Sequence, residues 1–196
     1  LEGGVTLDWI LELVAGLELE TPVVLMSYLN PLLSRPHERL AEEAAAAGVA
    51  GFIVPDLPLE ESEPLCDALA PAGLALVQLV TPLTPPRRRK RLAGASAGFL
   101  YAVTRAGTTG AGRGDARTGL SSALEAYLRE VRTVSPRPVL AGFGIRSPEQ
   151  VAGLGGLVDG VIVGSALIER LADDRDPVEL LRELRDASTP EPRGTS

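Results

Sequence analysis

The sequence predicts an α/β fold in which parallel strands are covered by outer helices. Short apolar runs rich in Val, Ile and Leu alternate with longer amphipathic or Ala-rich stretches, which is typical of parallel strands joined by crossover helices. The runs are apolar on both faces, as expected where helices cover one side and a packed barrel interior fills the other. The pattern favours a partial TIM barrel, (β/α)8, with about six βα units. An open doubly wound sheet would look similar locally.

Six strands, each followed by a helix, are predicted in order along the chain. The predicted strands cover residues 22–27, 51–55, 75–80, 98–103, 138–142 and 160–163. The predicted helices cover residues 36–47, 60–70, 85–92, 121–134, 147–154, 165–171 and 177–186. Capping signals agree with these bounds, because Ser147 precedes a Pro at the first helical position, and Gly48 and Gly73 fall where helices stop.

One further helix is predicted before the first strand. Thr6 can cap it, and apolar residues recur at helical spacing from Leu7 to Val14. No strand precedes this helix in the sequence, and eight units usually occupy about 250 residues. We therefore expect a barrel that lacks its first two βα units. We expect it to form a single partial-barrel domain over residues 1–187, followed by a disordered tail over residues 188–196.

Charge and cysteine content narrow the class of function. The 19 Lys and Arg residues against 26 Asp and Glu residues give a net charge of −7, which repels nucleic-acid backbones and anionic membrane surfaces. The basic run at residues 87–91 is expected to be a solvated helix face, with a binding patch as the alternative. No stretch approaches the roughly 20 apolar residues that a membrane helix needs. Cys66 is the single cysteine, so we expect no disulfide, no metal site and a cytoplasmic location.

Polar residues at the ends of the predicted strands mark candidate functional loops, because parallel barrels carry their sites there. Tyr28 and Asn30 follow the first strand, and Asp56 follows the second, two residues before Pro58. Asn30 and Asp56 can alternatively cap a helix or close a turn. The segment 104–119 is long and rich in glycine, which is typical of a mobile lid or binding loop, with a disordered surface loop as the alternative.

Two glycine turns on consecutive late units predict a phosphate site. Residues 142–145 read Gly-Phe-Gly-Ile and lead into a helix, and residues 164–166 read Gly-Ser-Ala and do the same one unit later. Free N–H groups and the positive end of the dipole at a helix start attract phosphate, and the last loops of phosphate-using barrels supply such starts. A single turn of this kind is more often an ordinary cap, so the repetition is what favours phosphate binding.

Taken together, these segments resemble the tryptophan synthase alpha subunit over residues 4–185. The resemblance is carried by PVVLMSYLNPLL at 22–33, AGVAGFIVPDLPLEES at 47–62, LVTPLTPP at 79–86, GFLYAVTRAGTTGA at 98–111, GFGIRSPEQV at 142–151 and DGVIVGSALI at 159–168. The last of these alone would recur in other phosphate-binding barrels.

The resemblance implies a lyase of tryptophan biosynthesis. Such an enzyme splits indole-3-glycerol phosphate by a retro-aldol step into indole and glyceraldehyde 3-phosphate. Indole then passes to a beta subunit in an alpha2beta2 complex. The cofactor pyridoxal phosphate belongs to that partner, and none is expected in this chain.

The resemblance also assigns roles to individual residues, which we carry over by matching motif. The implied substrate- and phosphate-binding residues are Met26, Tyr101, Thr109, Gly110, Phe143, Gly144, Gly164 and Ser165. The residues implied to face the beta subunit, or to couple to it, are Tyr28, Asn30, Asp56 and Pro58.

The chain departs from the family at the catalytic carboxylates. The family's Glu ends its second strand and its Asp lies in a Pro-Phe-Ser-Asp-Pro type loop, and neither motif occurs in these 196 residues. We therefore expect no catalytic residue in this chain and no activity from it alone. One alternative is a non-catalytic module that binds phosphate or docks on a beta subunit. Another is a phosphate-binding barrel isomerase, which needs a pair of acids at strand ends, where only Asp56 qualifies.

Overall fold

Strands and helices alternate along the chain as the sequence predicts. The structure is a computed structural model that describes residues 4–104, 120–142 and 144–188. Within these residues the strands are β1 (Val23–Met26), β2 (Val49–Ile53), β3 (Ala75–Val80), β4 (Leu100–Val103), β5 (Val139–Gly142) and β6 (Gly160–Ile162). The α-helices are α1 (Leu7–Ala15), α2 (Leu29–Leu32), α3 (His37–Ala46), α4 (Glu63–Leu69), α5 (Pro86–Ala95), α6 (Ser122–Val134), α7 (Pro148–Leu154), α8 (Ser165–Ala172) and α9 (Pro177–Ser188).

The chain divides into two compact units. The first comprises Leu1–Leu79 with Ala95–Gly98, and the second comprises Val80–Gly94 with Phe99–Ser196. In the first unit β1 pairs with β2, and β2 with β3, all in parallel. In the second unit β4 pairs with β5, and β5 with β6, also in parallel. Parallel strands need crossover connections, and the helices between them supply these connections.

The first unit is built around a tightly packed sheet. Gly51 of β2 faces Ala75 of β3, and a side-chain carbon at Gly51 would lie only 2.4 Å from the Ala75 carbonyl oxygen. This approach is possible only without a Cβ atom. Helices cover the sheet with fully buried side chains, among them Leu40 of α3 and Leu65 of α4, which pack in one cluster with Phe52.

The second unit has its own core and a set of polar contacts at the start of β5 and β6. Leu128 of α6 and Val139 of β5 have no exposed surface. The Asp159 carboxylate accepts a hydrogen bond from the Val139 N–H at 2.8 Å and pairs with Arg132 at 3.1 Å. Because Asp159 directly precedes β6, this contact fixes the start of β6 beside β5.

Thr6 and Ser147 cap helices as predicted. The Thr6 hydroxyl accepts from the Trp9 N–H at 3.2 Å at the start of α1. Ser147 and Gln150 form a reciprocal capping box at the start of α7. Gly48 and Gly73, where helices were expected to stop, both have positive φ angles, of 83° and 73°.

Two short elements differ from the prediction. Residues 29–32 form α2, where the sequence indicated only a loop. The helix predicted at 60–70 is divided into a 3-10 turn at Leu59–Glu61 and α4, which begins at Glu63. Pro64 explains the division, because a proline in the first turn has no N–H to continue a preceding helix and favours a new start.

The basic run at residues 87–91 is not wholly a solvated face, so the prediction is wrong for Arg89. Arg87 and Lys90 are exposed, but Arg89 is only 5% exposed. Its guanidinium lies 5.0 Å from the ring centre of Tyr127 and 2.6 Å from the Glu130 carboxylate. Helical spacing explains this, because Arg89 shares the buried face of α5 with Leu92 and Ala93.

Arg89 and Tyr127 also bind backbone carbonyls at and after the end of β3. Arg89 donates a hydrogen bond to the Thr84 carbonyl at 3.0 Å, and the Tyr127 hydroxyl beneath it donates to the Val80 carbonyl at 2.9 Å. Burial raises the pKa of the Tyr127 hydroxyl, and the positive charge of Arg89 partly opposes this effect.

The structure shows no helix among its described residues that is long and apolar enough to cross a bilayer.

Replacing Arg89 with Ala should lower the free energy of unfolding by about 2–3 kcal/mol, because it removes the contacts to Tyr127, Glu130 and Thr84 together. The matched control is Arg87→Ala, which removes an exposed arginine of the same helix and should change the stability by no more than about 0.5 kcal/mol. Urea unfolding followed by circular dichroism measures both. Equal effects of the two substitutions would contradict this account.

Candidate functional site

The carboxyl ends of β4 and β5 are fixed to one another by an aromatic contact and two hydrogen bonds. Tyr101 of β4 is 4% exposed. Its ring occupies the space beside Gly142 of β5, where a Cβ atom would lie 2.3 Å from the ring. The backbone N–H and the hydroxyl of Thr104 both donate to the Gly142 carbonyl, at 2.9 and 2.8 Å. Burial raises the pKa of the Tyr101 hydroxyl, so it stays protonated at neutral pH.

The two predicted glycine turns lie side by side. Gly142 of β5 pairs with Ile162 of β6, and Gly144 and Gly164 each follow two residues later. Gly144 has a φ angle of 85°, in the left-handed region that favours glycine. The strand register therefore brings both turns to the same edge of the second unit.

The start of α8 presents backbone N–H groups that have no acceptor within the helix itself. Gly164 is the N-cap and contributes no capping side chain. The Leu167 N–H finds an acceptor in the Gly164 carbonyl at 2.9 Å, whereas the N–H groups of Ser165 and Ala166 precede the first helical hydrogen bond. A Cβ atom built on Gly164 meets nothing within 4 Å, and Ser165 is exposed. This arrangement of donors, open space and helix dipole suits an anion.

In the described part of the loop after β5, Arg146 makes two polar contacts. The Gln150 side chain accepts from the Arg146 N–H at 2.7 Å, and the Arg146 guanidinium pairs with Glu169 of α8. This ion pair connects the two glycine turns through side chains. Sequence reasoning missed Arg146 as well as Thr104. The signal for Arg146 was its place two residues after Gly144, but its acceptor lies 23 positions further along the chain.

In the first unit, Met26 and Tyr28 line a cavity of about 730 Å³ beside α1. Met26 ends β1 and is 50% exposed, and Tyr28 is 68% exposed. The remaining lining is mostly apolar and includes Ile10 and Phe52. The role of Met26 as an apolar wall for the substrate, which the resemblance implies, stays a prediction.

The loops after β1 and β2 are joined by the Asp56 carboxylate. Asp56 Oδ1 accepts a hydrogen bond from the Leu29 N–H at 2.8 Å, so it caps α2, the helix before it in the chain. Asn30 lies in α2, and Pro58 precedes the 3-10 turn. Like Tyr28, the three residues Asn30, Asp56 and Pro58 are exposed. The structure thus brings the four predicted partner-facing residues onto two adjoining loops.

Three predicted site residues, Thr109, Gly110 and Phe143, lie outside the described residues. Among the residues that are described, no group of three or more His, Cys, Asp or Glu side chains is arranged to hold a metal ion.

Comparison with known proteins identifies the family. The family model described as tryptophan synthase alpha chain matches residues 1–189. The chain belongs to the tryptophan synthase alpha chain family.

Relatives and solved structures agree with this membership. The tryptophan synthase alpha chains of Bacillus cereus (strain ZK / E33L) and Shouchella clausii (strain KSM-K16) are 42% and 44% identical, over 89% and 87% of this chain. The structure of Mycobacterium tuberculosis tryptophan synthase matches with a TM-score of 0.82 at 35% identity, covering 95% of this chain and 70% of that one. The tryptophan synthase a2b2 complex of Pyrococcus furiosus matches with a TM-score of 0.81 at 31% identity, and the match covers 93% of this chain and 75% of that one.

These matches confirm the predicted fold class, a partial TIM barrel of parallel strands with outer helices, and not a doubly wound sheet. The chain spans 67% of the Bacillus cereus tryptophan synthase alpha chain and 62% of the Shouchella clausii one. It therefore represents about two thirds of the length of its relatives.

The raised pKa of Tyr101 predicts a specific dependence of stability on pH. An unfolded tyrosine ionises near pH 10. Because the folded pKa is higher, the contribution of Tyr101 is fully present below pH 10 and is lost as the pH rises towards the folded pKa. Between pH 10 and 11 the wild type should lose up to about 1 kcal/mol more than Tyr101→Phe. Guanidinium unfolding of the wild type and Tyr101→Phe at pH 8, 10 and 11 measures the two stabilities. Equal losses of stability in the two proteins would contradict this prediction.

Proposed function

We propose that this chain provides the phosphate-binding part of a lyase that cleaves indole-3-glycerol phosphate into indole and glyceraldehyde 3-phosphate in tryptophan biosynthesis. Membership of the tryptophan synthase alpha chain family supports the reaction. The observation that carries the proposal is the pair of glycine turns after β5 and β6, with the open start of α8 beside them.

The phosphate group would lie against the start of α8. The N–H groups of Ser165 and Ala166 point from a helix start whose dipole favours negative charge. The absence of a side chain at Gly144 and Gly164 allows the backbone to approach an anion closely. Phe143, carried over from the resemblance, would complete this cradle. Thr109 and Gly110 would close the glycine-rich loop over the substrate.

The indolyl end of the substrate would lie close to Tyr101, the residue that the resemblance assigns to the neighbourhood of the indolylglycerol. A protonated Tyr101 hydroxyl can donate a hydrogen bond without adding charge. The buried ring presents an apolar surface to an aromatic ligand.

Bond cleavage needs two groups that this chain does not contain at the family's motif positions. An acid must protonate the indole carbon as the carbon–carbon bond breaks, and a carboxylate must take the ring N–H proton. Asp56 is a poor substitute, because it is exposed and its carboxylate already accepts from Leu29. We infer that these 196 residues bind the substrate's phosphate without turning the substrate over.

A beta subunit is the proposed partner, and it would carry the pyridoxal phosphate. The similar structure from Pyrococcus furiosus is that of a tryptophan synthase a2b2 complex, and the exposed residues Tyr28, Asn30, Asp56 and Pro58 offer a surface for such docking. The same surface supports a second candidate, a non-catalytic module that docks on a beta subunit or binds phosphate.

A cytoplasmic location fits a chain whose single cysteine is unpaired.

Indole release from indole-3-glycerol phosphate tests the proposed reaction. The 196-residue chain should release no indole, with or without a beta subunit, because the two carboxylates are absent. A version extended at its N-terminus with two βα units from the Shouchella clausii relative, carrying both motifs, should release it. Indole from the pure chain would overturn the proposed inactivity. Inactivity of both versions would favour the non-catalytic module.

Phosphate binding can be tested separately from turnover. Gly164→Ala should weaken the affinity for glycerol 3-phosphate about tenfold, because its methyl group takes space in front of the helix start. Stability should be unchanged, since nothing lies within 4 Å of that methyl group. The matched control is Gly94→Ala on α5, which also adds a methyl group to open space. Calorimetric titration measures both, and equal affinities of the two variants would place the phosphate elsewhere.

A further inference from the structure

The first turn of α2 depends on a cap from another loop. Tyr28 is the N-cap of this four-residue helix, and its side chain makes no capping hydrogen bond. Pro31 has no N–H to offer. The Leu29 N–H is satisfied by the Asp56 carboxylate at 2.8 Å, across 27 positions of sequence. Asp56, which follows β2, therefore supplies the cap that the residues before α2 do not provide.

Asp56 is itself presented by a well-defined turn. The Leu57 N–H donates to the Val54 carbonyl at 3.2 Å, which closes a turn with Pro55 in its second position. Val54 is only 4% exposed. Next to this turn, the Ser27 N–H donates to the Ile53 carbonyl at 3.1 Å and extends the pairing of β1 with β2. The carboxylate thus comes from a fixed place beside the end of β1.

The other end of α2 is fixed by packing. Leu32 is 1% exposed and belongs to the core of the first unit. Between the buried Leu32 and the cap at Leu29 there is less than one turn of helix. Tyr28 and Asn30, which flank Leu29, are exposed. Their orientation is therefore set by two attachments, one apolar and one made by Asp56.

We propose that Asp56 is a positioning residue for partner binding, and that its carboxylate acts through α2 by holding Tyr28 and Asn30 in their binding orientation. This inference rests on the proposed docking of a beta subunit on this surface. It assigns Asp56 a different role from direct contact with the partner. If the turn formed by residues 54–57 is displaced, α2 should move with it.

Three variants separate capping from charge. Asp56→Ala removes the acceptor, and Asp56→Asn keeps an acceptor oxygen but removes the charge. Asp67→Ala removes an exposed carboxylate of α4, outside this turn. Hydrogen exchange of the Leu29 amide, followed by NMR, should be about tenfold faster in Asp56→Ala. It should be within about threefold of wild type in the other two variants. Unchanged exchange in Asp56→Ala would overturn the proposal.

Affinity for a beta subunit tests the positioning role. The probe is the beta subunit of Mycobacterium tuberculosis tryptophan synthase, titrated with the 196-residue chain and its variants. Asp56→Ala should weaken binding about tenfold. Asp56→Asn should recover most of the loss, and Asp67→Ala should bind as wild type does. Thermal melts of the same samples distinguish a global loss of stability from a changed orientation of α2.

A double-mutant cycle with Asn30→Ala provides the decision. If Asp56 acts through α2, the affinity of the double variant should lie within about twofold of the affinity of the weaker-binding single variant. Additive losses would show that Asp56 contacts the partner independently and would overturn the inference alone. Absence of binding by the wild type would instead overturn the proposed partner, and the inference with it.

Discussion

Parallel pairing of neighbouring strands is the constraint on which the candidate site depends. Parallel strands end at the same edge of a sheet, so the loops that follow them lie side by side even when many residues separate them in the chain. In the second unit this pairing aligns Gly144 with Gly164. In the first unit it places Asp56 next to the start of α2. Residues far apart in sequence thereby share one surface within each unit.

Much of the fold could be predicted because its signals are local. The strand at residues 75–80 has the predicted bounds, because it is a run of apolar residues between the end of one helix and the start of the next. Thr6 and Ser147 cap the helices that they were expected to cap, because a capping side chain bonds to a backbone only three residues away. The glycine turns were identifiable for the same reason.

The features that could not be predicted depend on partners distant in sequence. The burial of Arg89 requires Tyr127 and Glu130 of another helix, and the order of α2 requires Asp56, 27 residues later. Taken alone, a run of five basic residues is typical of a solvated face, and an acid after a strand is typical of a cap for the next helix. Neither pattern contains the tertiary contact that decides its role.

The contact between Tyr101 and Gly142 restricts how this part of the molecule can vary. The tyrosine ring fills the volume that a side chain at position 142 would need, so the two positions share one fixed space. A larger residue at 142 is compatible with the same strand pairing only if position 101 becomes smaller. Across the tryptophan synthase alpha chains, the two positions should therefore change together, with the sum of their side-chain volumes held nearly constant.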